Sequence, residues 1–176
     1  MKKLSFLSLS ILVFAACTST APKNKNTPLA YFDLKDYIAK EAKRLTALNP
    51  EIDKTVIVNK ASERKKLKIA DWPKELSSFS DADINKSAWQ GLFTTEKAKD
   101  SETYLSDNEK VPVKSLIVNY RNGKIYGIKL LISNTNSLYT SNDTLSYFPD
   151  SLYEVKKTQH IKLLNGKSYV ITGRFK

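Results

Sequence analysis

The dipeptide Asn122-Gly123 divides a run of alternating apolar and polar residues, and it constrains the fold more than any other feature of the sequence. Asn-Gly between two such runs is the strongest short signal for a β-hairpin, because both residues tolerate the positive φ of a two-residue turn. Counting outward from that turn places Ile117 opposite Ile128 and Tyr120 opposite Ile125. Apolar side chains then fall on both faces, which predicts central strands of an antiparallel sheet.

The β pattern continues to residue 176. Two more strands are predicted around Phe148-Pro149-Asp150-Ser151, a turn in which proline is well placed. A second Asn-Gly pair, Asn165-Gly166, predicts a further hairpin. Its two faces would group Ile161 and Leu163 with Val170, and His160 and Lys162 with Tyr169.

The first half of the sequence has a different pattern. Residues 31–50 carry apolar residues at helical spacing, with Asp33 as a potential N-cap and Asn49-Pro50 as the end. Residues 54–71 predict a hairpin with its tip near 59–62. Residues 71–93 predict short helices and turns, and residues 94–110 predict a loop, with a short strand at Tyr104-Leu105 as the alternative. The apolar anchors expected in the segment of short helices are Trp72, Leu76, Phe79, Ile84 and Trp89.

These elements predict one α+β domain over 29–176, with the helix and hairpin in 29–93 and a β-meander in 111–176. The expected architecture is an antiparallel sheet of about five to seven strands, with the N-terminal helix and the short helices packed on one face.

The N-terminus has the pattern of a secretory signal peptide: Lys2 and Lys3, an apolar run from Leu4 to Ala16, and small residues at its end. This run is too short to span a bilayer, which takes about 20 apolar residues. The alternatives are a secreted protein with a free thiol at Cys17, or an uncleaved anchor.

The stretch Phe14-Ala-Ala-Cys17 resembles the lipobox of bacterial lipoproteins, in which Leu is commonest where this sequence has Phe14. The resemblance implies that the sulfur of Cys17 is acylated and that residues 1–16 are removed as a signal peptide. Residues 17–28, which are mostly small or polar, are then a lipidated flexible tether. The resulting partner is a membrane, reached through the N-terminal lipid.

The residues after the cysteine resemble an address code. Thr18 stands where Asp would favour inner-membrane retention, and residues 18–26 contain no acid of the kind that directs lipoproteins of Bacteroidota to the cell surface. The expected location is the outer membrane, facing the periplasm, with surface display as the alternative. The C-terminal part also resembles uncharacterised small lipoproteins of Bacteroidota, with its Leu-Tyr, aromatic-Pro-Asp turn and final Tyr-x-Ile-x-Gly. That family implies no activity for this chain.

The formal net charge of +11 favours polyanionic partners such as anionic headgroups or acidic glycans, or an envelope protein. Nucleic acid is not expected at an envelope address. Period-two alternation places Arg64, Lys66 and Lys68 in one basic stripe, which is the candidate anion-contact surface. The alternative is a solvated strand whose charges discourage edge-to-edge aggregation.

No constellation of residues predicts an enzyme, a metal site or a cofactor. His160 is the single histidine and Cys17 the single cysteine, so a nucleophilic triad or a zinc site lacks its usual side chains. Residues 81–92 resemble an EF-hand loop in part, but Lys86 and Leu92 occupy the positions that need Gly and Glu. A glycosidase needs only two carboxylates, and no pair stands out.

Two tripeptides, Asp-Thr-Leu and Asp-Ser-Leu, resemble the O-glycosylation sites of Bacteroidota and mark Thr144 and Ser151. The sequence thus predicts a non-enzymatic envelope lipoprotein, a binding or structural module whose ligand is open. The alternatives are a carrier or sensor that holds an apolar ligand between sheet and helix, and a small envelope hydrolase.

Overall fold

A computed structural model describes residues 29–162 and 164–176, so the predicted signal peptide, Cys17, the tether and Leu163 lie outside the described residues. The helices are α1 (Leu34–Leu48), α2 (Trp72–Glu75) and α3 (Ser77–Asp81), followed by a 3₁₀ turn at Ser87–Trp89. The strands are β1 (Glu51–Val58), β2 (Ala61–Lys68), β3 (Thr94–Ala98), β4 (Ser101–Leu105), β5 (Val113–Arg121), β6 (Lys124–Thr135), β7 (Tyr139–Phe148), β8 (Leu152–Ile161) and β9 (Lys167–Phe175).

Helix α1 begins and ends as its sequence predicts. The Asp33 carboxylate accepts a hydrogen bond from the backbone N–H of Asp36, and Asn49 closes the C-terminus in the left-handed conformation. One face of α1 is buried and belongs to the core. The hairpin predicted over 54–71 is present as β1 and β2, which are joined by a two-residue turn at 59–60, and Asp71 caps α2.

All nine strands form one antiparallel sheet, in the order β2-β1-β9-β8-β7-β6-β5-β4-β3. Strands β3 to β9 follow one another as a meander, and the β1–β2 hairpin joins the C-terminal strand through β1. Strands β2 and β3 are the two edges, so the connection between them must pass from one side of the sheet to the other. Residues 69–93, called the crossing segment below, make this connection and contain α2 and α3.

The helices cover one face of the sheet, called the helix face. The Tyr147 hydroxyl donates to Glu41 of α1 at 2.7 Å, and the Tyr153 hydroxyl donates to Glu75 of α2 at 2.6 Å. Four of the anchors predicted in the crossing segment are fully buried in the same core: Trp72, Leu76, Phe79 and Ile84. The opposite face, called the open face, carries alternate residues such as Lys129, Thr144 and Lys156.

The predicted fold class is wrong. The protein is mostly β, with 52% of the described residues in strands and 18% in helices, and its sheet has nine strands rather than five to seven. Two pairings account for the difference. The β1–β2 hairpin adds to the meander through β9, and residues expected to form a loop instead form the β3–β4 hairpin.

Strand register departs from prediction at two places. Tyr120 lies opposite Ile125 as predicted, but an irregularity between Asn119 and Tyr120 places Ile117 opposite Lys129 instead of Ile128. Strands β8 and β9 are joined by a five-residue loop, 162–166, rather than a two-residue turn. Because the register shifts by an odd number, the predicted faces are exchanged: Ile161 shares a face with Tyr169, and His160 with Val170.

Candidate functional site

The helices cover only part of the helix face. Burial decreases away from α1 along β1 and β8: in β8, Tyr153 is 1% exposed while Val155 and Lys157 are half-buried, and in β1, Ile52 is fully buried while Val58 is 39% exposed. An apolar strip of the sheet therefore remains beside the crossing segment, and no helix in the described part of the chain covers it.

Two adjoining clefts lie along this strip, with volumes of about 270 and 420 Å³, and both are lined by Ser78 and Val155. We call the combined feature the groove. Its aliphatic floor comes from five different strands, namely Leu67, Leu145, Val155, Ile171 and Ile132. The cleft of about 420 Å³ is within the range of small-molecule sites, about 300 to 1,000 Å³, and the cleft of about 270 Å³ is slightly below it.

The groove runs across the strands of the sheet. Its floor reaches from Ile132 of β6 across β7, β8, β9 and β1 to Leu67 of β2. Five intervals between neighbouring strands at about 4.8 Å each give a length of roughly 24 Å. An extended acyl chain of membrane length measures about 15 Å, half of the hydrocarbon core of a bilayer. The groove can therefore take such a chain lengthwise.

Glu75 fixes the wall of the groove against the sheet. Its carboxylate accepts a hydrogen bond from the Tyr153 hydroxyl at 2.6 Å and forms an ion pair with Lys54 at 2.6 Å. Burial and the neighbouring carboxylate both raise the pKa of the Tyr153 phenol, so the phenol stays a donor. Glu75 thus ties α2 to both β1 and β8.

The end of the groove nearest β6 carries balanced charges. Asp143 accepts from the Ser141 hydroxyl at 2.6 Å through Oδ1 and pairs with Lys157 at 3.2 Å through Oδ2. Lys86 lies 4.4 Å from the ring centre of Trp89 and donates to the backbone carbonyl of Asp81. Asp81 and Asp143 both line this end, but both oxygens of Asp143 are already engaged. This arrangement does not leave two carboxylates free for acid–base catalysis.

The end of the groove nearest β2 has a cationic surplus. Lys68 and Lys74 line it, and neither has an acidic partner within the part of the chain that the structure describes. Lys54 is already balanced by Glu75, and the carboxylate of Asp71, which caps α2, offsets one further cation, so the lining has one positive charge in excess. This end therefore favours an anionic group.

The register of β2 places the residues of the predicted basic stripe, Arg64, Lys66 and Lys68, on one face, and all three are exposed. Arg64 pairs with Asp53 through its guanidinium, with an Nε–Oδ1 distance of 2.7 Å, and this pairing lowers the pKa of the Asp53 carboxyl below its usual value. Lys68 at the end of β2 also lines the groove. One of the three cations is thus engaged within the protein, and whether the stripe contacts an anion stays a prediction.

The two sites predicted for glycosylation have different surroundings. Thr144 is half-buried in the middle of β7, on the open face, with neighbours on both sides at Leu131 and Lys156. Thr144 therefore lies within a strand and not in a turn. Ser151 is exposed in the turn between β7 and β8.

The remaining polar candidates serve the fold. Asn85 of the EF-hand-like segment binds the backbone of Tyr31 and Phe32 through its amide, which ties the crossing segment to the start of α1. His160 is exposed near the end of β8. Within residues 29–162 and 164–176, no three His, Cys, Asp or Glu side chains are grouped closely enough to hold a metal ion.

Sequence reasoning did not find the groove. Val155 and Ile171 follow ordinary strand alternation, and nothing in their local sequence indicates that no helix covers them. None of the helices in the described part of the chain is long and apolar enough to cross a bilayer. Comparison with protein-family models, curated protein sequences and solved structures finds no match to this chain.

Proposed function

We propose that the protein is a non-enzymatic, lipid-anchored module of the cell envelope whose groove holds an elongated ligand with an apolar chain and an anionic end. A fatty acid is the simplest ligand of this class. The observation that carries the proposal is the aliphatic floor of the groove, which crosses several strands of the helix face and has a cationic surplus at one end.

The anchor is supported by the sequence alone. The charged start, the short apolar run and the sequence Ala-Ala before Cys17 are typical of lipoproteins. Thr18 and the acid-free residues that follow favour the outer membrane with the domain on the periplasmic side. A groove that binds acyl chains would then stand close to a source of such chains.

Charge sets the orientation of the ligand. An anionic head is favoured near Lys68 and Lys74, where the surplus lies, and the chain extends over Val155 toward the balanced end. Because the groove is open along one side, each methylene loses only part of its contact with water. Full burial is worth about 0.8 kcal/mol per methylene. Half of that value over four methylenes gives about 1.6 kcal/mol, or roughly 15-fold between laurate and palmitate.

The experiment is displacement of a fluorescent fatty acid from the full chain carrying Cys17→Ser, so that no covalent acyl group competes. Palmitate should displace the probe more strongly than laurate and more strongly than uncharged hexadecanol. Ser78→Trp should weaken binding at least tenfold, because Ser78 lines both clefts and is exposed enough to accept a large side chain.

Ser87→Trp is the matched control, since Ser87 is also an exposed serine of the crossing segment but lies outside the groove. Equal affinity in the two tryptophan variants, or absence of saturable palmitate binding, would contradict the assignment of the groove.

The anchor is tested separately. Radiolabelled palmitate supplied to cells should enter the wild-type protein but not the Cys17→Ser variant. Label in both proteins would refute acylation at Cys17 and would leave the binding experiment unaffected.

A further inference from the structure

The open face over β4 to β7 contains no acidic side chain. The two acids of these strands, Glu102 and Asp143, both belong to the helix face, because Glu102 lies opposite the buried Val118 and Asp143 lines the groove. Polar residues such as Thr103, together with cations and apolar side chains, make up the rest of this surface. The nearest acids on the open face lie at its borders: Glu96 opposite Thr103 in β3, and Glu154 opposite Ser146 in β8, which pairs with Lys156. Between these borders the charged side chains of the strands are cations, which favour an anionic partner.

The cations of this surface rest on aromatic rings. The Arg121 guanidinium lies 3.7 Å from the ring centre of Tyr126, and the Lys129 ammonium lies 6.0 Å from that of Phe148. Tyr126 and Phe148 meet edge to face at 6.1 Å. Neither cation has a carboxylate partner in the described part of the chain, so both remain available to an external anion.

Large apolar side chains are exposed between the cations. Leu131 is 51% exposed, Tyr126 46% and Leu105 38%. Leu105 and Leu131 both lie opposite Ser115 in the sheet, so they occupy one row on the open face. Single exposed leucines are ordinary on protein surfaces, but here three large side chains share a surface with unpaired cations.

We propose that this part of the open face, from Leu105 to Phe148, docks onto an anionic lipid bilayer. Lys129 and Arg121 would bind the headgroups, while Leu131, Leu105 and Tyr126 enter the interface between headgroups and acyl chains. This combination of apolar side chains flanked by Lys and Arg is the pattern of interfacial membrane binding. The chemistry needed from the partner is a dense array of negative charges above an apolar layer, which a bilayer supplies.

Two other occupants fit the surface less well. A second copy of this chain would bring Lys129 and Arg121 against like charges, and the nearest open-face acids, Glu96 and Glu154, lie at the borders rather than among the exposed apolar side chains. A soluble acidic glycan would satisfy the cations but would leave Leu131 and Leu105 in water. The inference does not depend on the groove, which lies on the opposite face of the sheet.

The experiment uses a site-specific probe. Cys17 is the single cysteine, so the full chain with Cys17→Ser and Leu131→Cys can be labelled with an environment-sensitive dye at one position. Vesicles containing phosphatidylglycerol should shift the emission of this dye to the blue, and pure phosphatidylcholine vesicles should shift it far less. Raising the salt concentration should reverse the shift.

The matched position is Leu48→Cys, because Leu48 is a leucine of similar exposure, 60%, at the end of α1 on the other side of the sheet. Its dye should not respond. The double variant Arg121→Gln and Lys129→Gln should weaken vesicle binding, followed at position 131, by roughly 30-fold. Removal of two cations from α1, Lys35→Gln and Lys43→Gln, should weaken it far less.

Equal blue shifts at positions 131 and 48 would overturn the proposal, because they would show that the open face has no preferred contact with the bilayer. A response at position 131 to a soluble acidic polysaccharide but not to anionic vesicles would also overturn it, in favour of a glycan. These outcomes are independent of fatty-acid binding in the groove.

Discussion

Gly173→Ala should destabilise the protein far more than a single added methyl group suggests. Gly173 is buried in β9, directly under the ring of Tyr153, and a Cβ at this position would overlap the ring and the hydroxyl of that tyrosine. Tyr153 cannot easily move aside, because its ring packs against Trp72 at 6.1 Å and its hydroxyl donates to Glu75. The added methyl group therefore acts on the contact that holds α2 over the groove.

Two costs combine in this variant. Overpacking of a well-packed core costs about 1–3 kcal/mol, and loss of a hydrogen bond to a charged group costs about 1.5–3 kcal/mol. The free energy of unfolding should fall by about 3–5 kcal/mol, which is a large share of the 5–15 kcal/mol typical of a folded domain. Because α2 forms the wall of the groove, fatty-acid binding should weaken as well.

Urea unfolding followed by tryptophan fluorescence measures the effect. Gly166→Ala is the control, because the nearest atom to a Cβ at Gly166 is 3.5 Å away, an ordinary contact. Tyr153→Leu should be destabilising alone, but adding Gly173→Ala to it should cost less than 1 kcal/mol more, since the overlapping ring is gone. Additive effects of the two substitutions, or a Gly173→Ala variant as stable as the wild type, would refute this account.

Three further predictions concern stability. A hydrogen bond from Tyr104, and to a smaller extent Lys97, lowers the pKa of Glu102 below its ordinary 4.5. The stability that this carboxylate contributes is therefore present above about pH 4.5 and is lost as the pH falls through the lower pKa of the folded state. Glu102→Gln should flatten the acid side of a plot of unfolding free energy against pH, and an unchanged slope would contradict this. Tyr147→Phe should lower the free energy of unfolding by about 1.5–3 kcal/mol in urea titrations, because the Tyr147 hydroxyl donates to Glu41 of α1 from a fully buried ring. An unchanged free energy of unfolding would show that this hydrogen bond does not hold α1 on the sheet. Gly123→Ala should cost about 1 kcal/mol, because residue 123 has φ of 73° in the turn between β5 and β6; a cost no larger than that of Ser137→Ala in the next loop would argue against a strained turn.

Local chemistry predicts a considerable part of this fold. The Asp33 cap, the end of α1 at Asn49 and the turns at Asn122-Gly123 and after Phe148 are decided by neighbouring residues, and each lies where the sequence indicates. The buried anchors of the crossing segment were also predictable, because large apolar side chains in a polar stretch seldom remain in water.

Part of the errors occurs where distant residues decide. The pairing of β1 with β9 brings together residues far apart in the chain, and no local signal carries that contact. The β3–β4 hairpin is a local pairing, but β3 is polar and exposed and lacks the apolar alternation that predicts a strand. The faces of β8 and β9 were exchanged because a five-residue loop, not the Asn-Gly pair alone, sets the register.

The sequence by itself determined the capped helix, most of the hairpins, the basic charge and the lipobox-like N-terminus, since each depends on residues close together in the chain. Only the tertiary structure decided where ligands could bind. The groove exists because the crossing segment must pass from β2 to β3 at opposite edges of the sheet and covers only part of the helix face on its way. The acid-free surface exists because strand pairing turns both Glu102 and Asp143 to that same helix face, a consequence of register that no local pattern reveals.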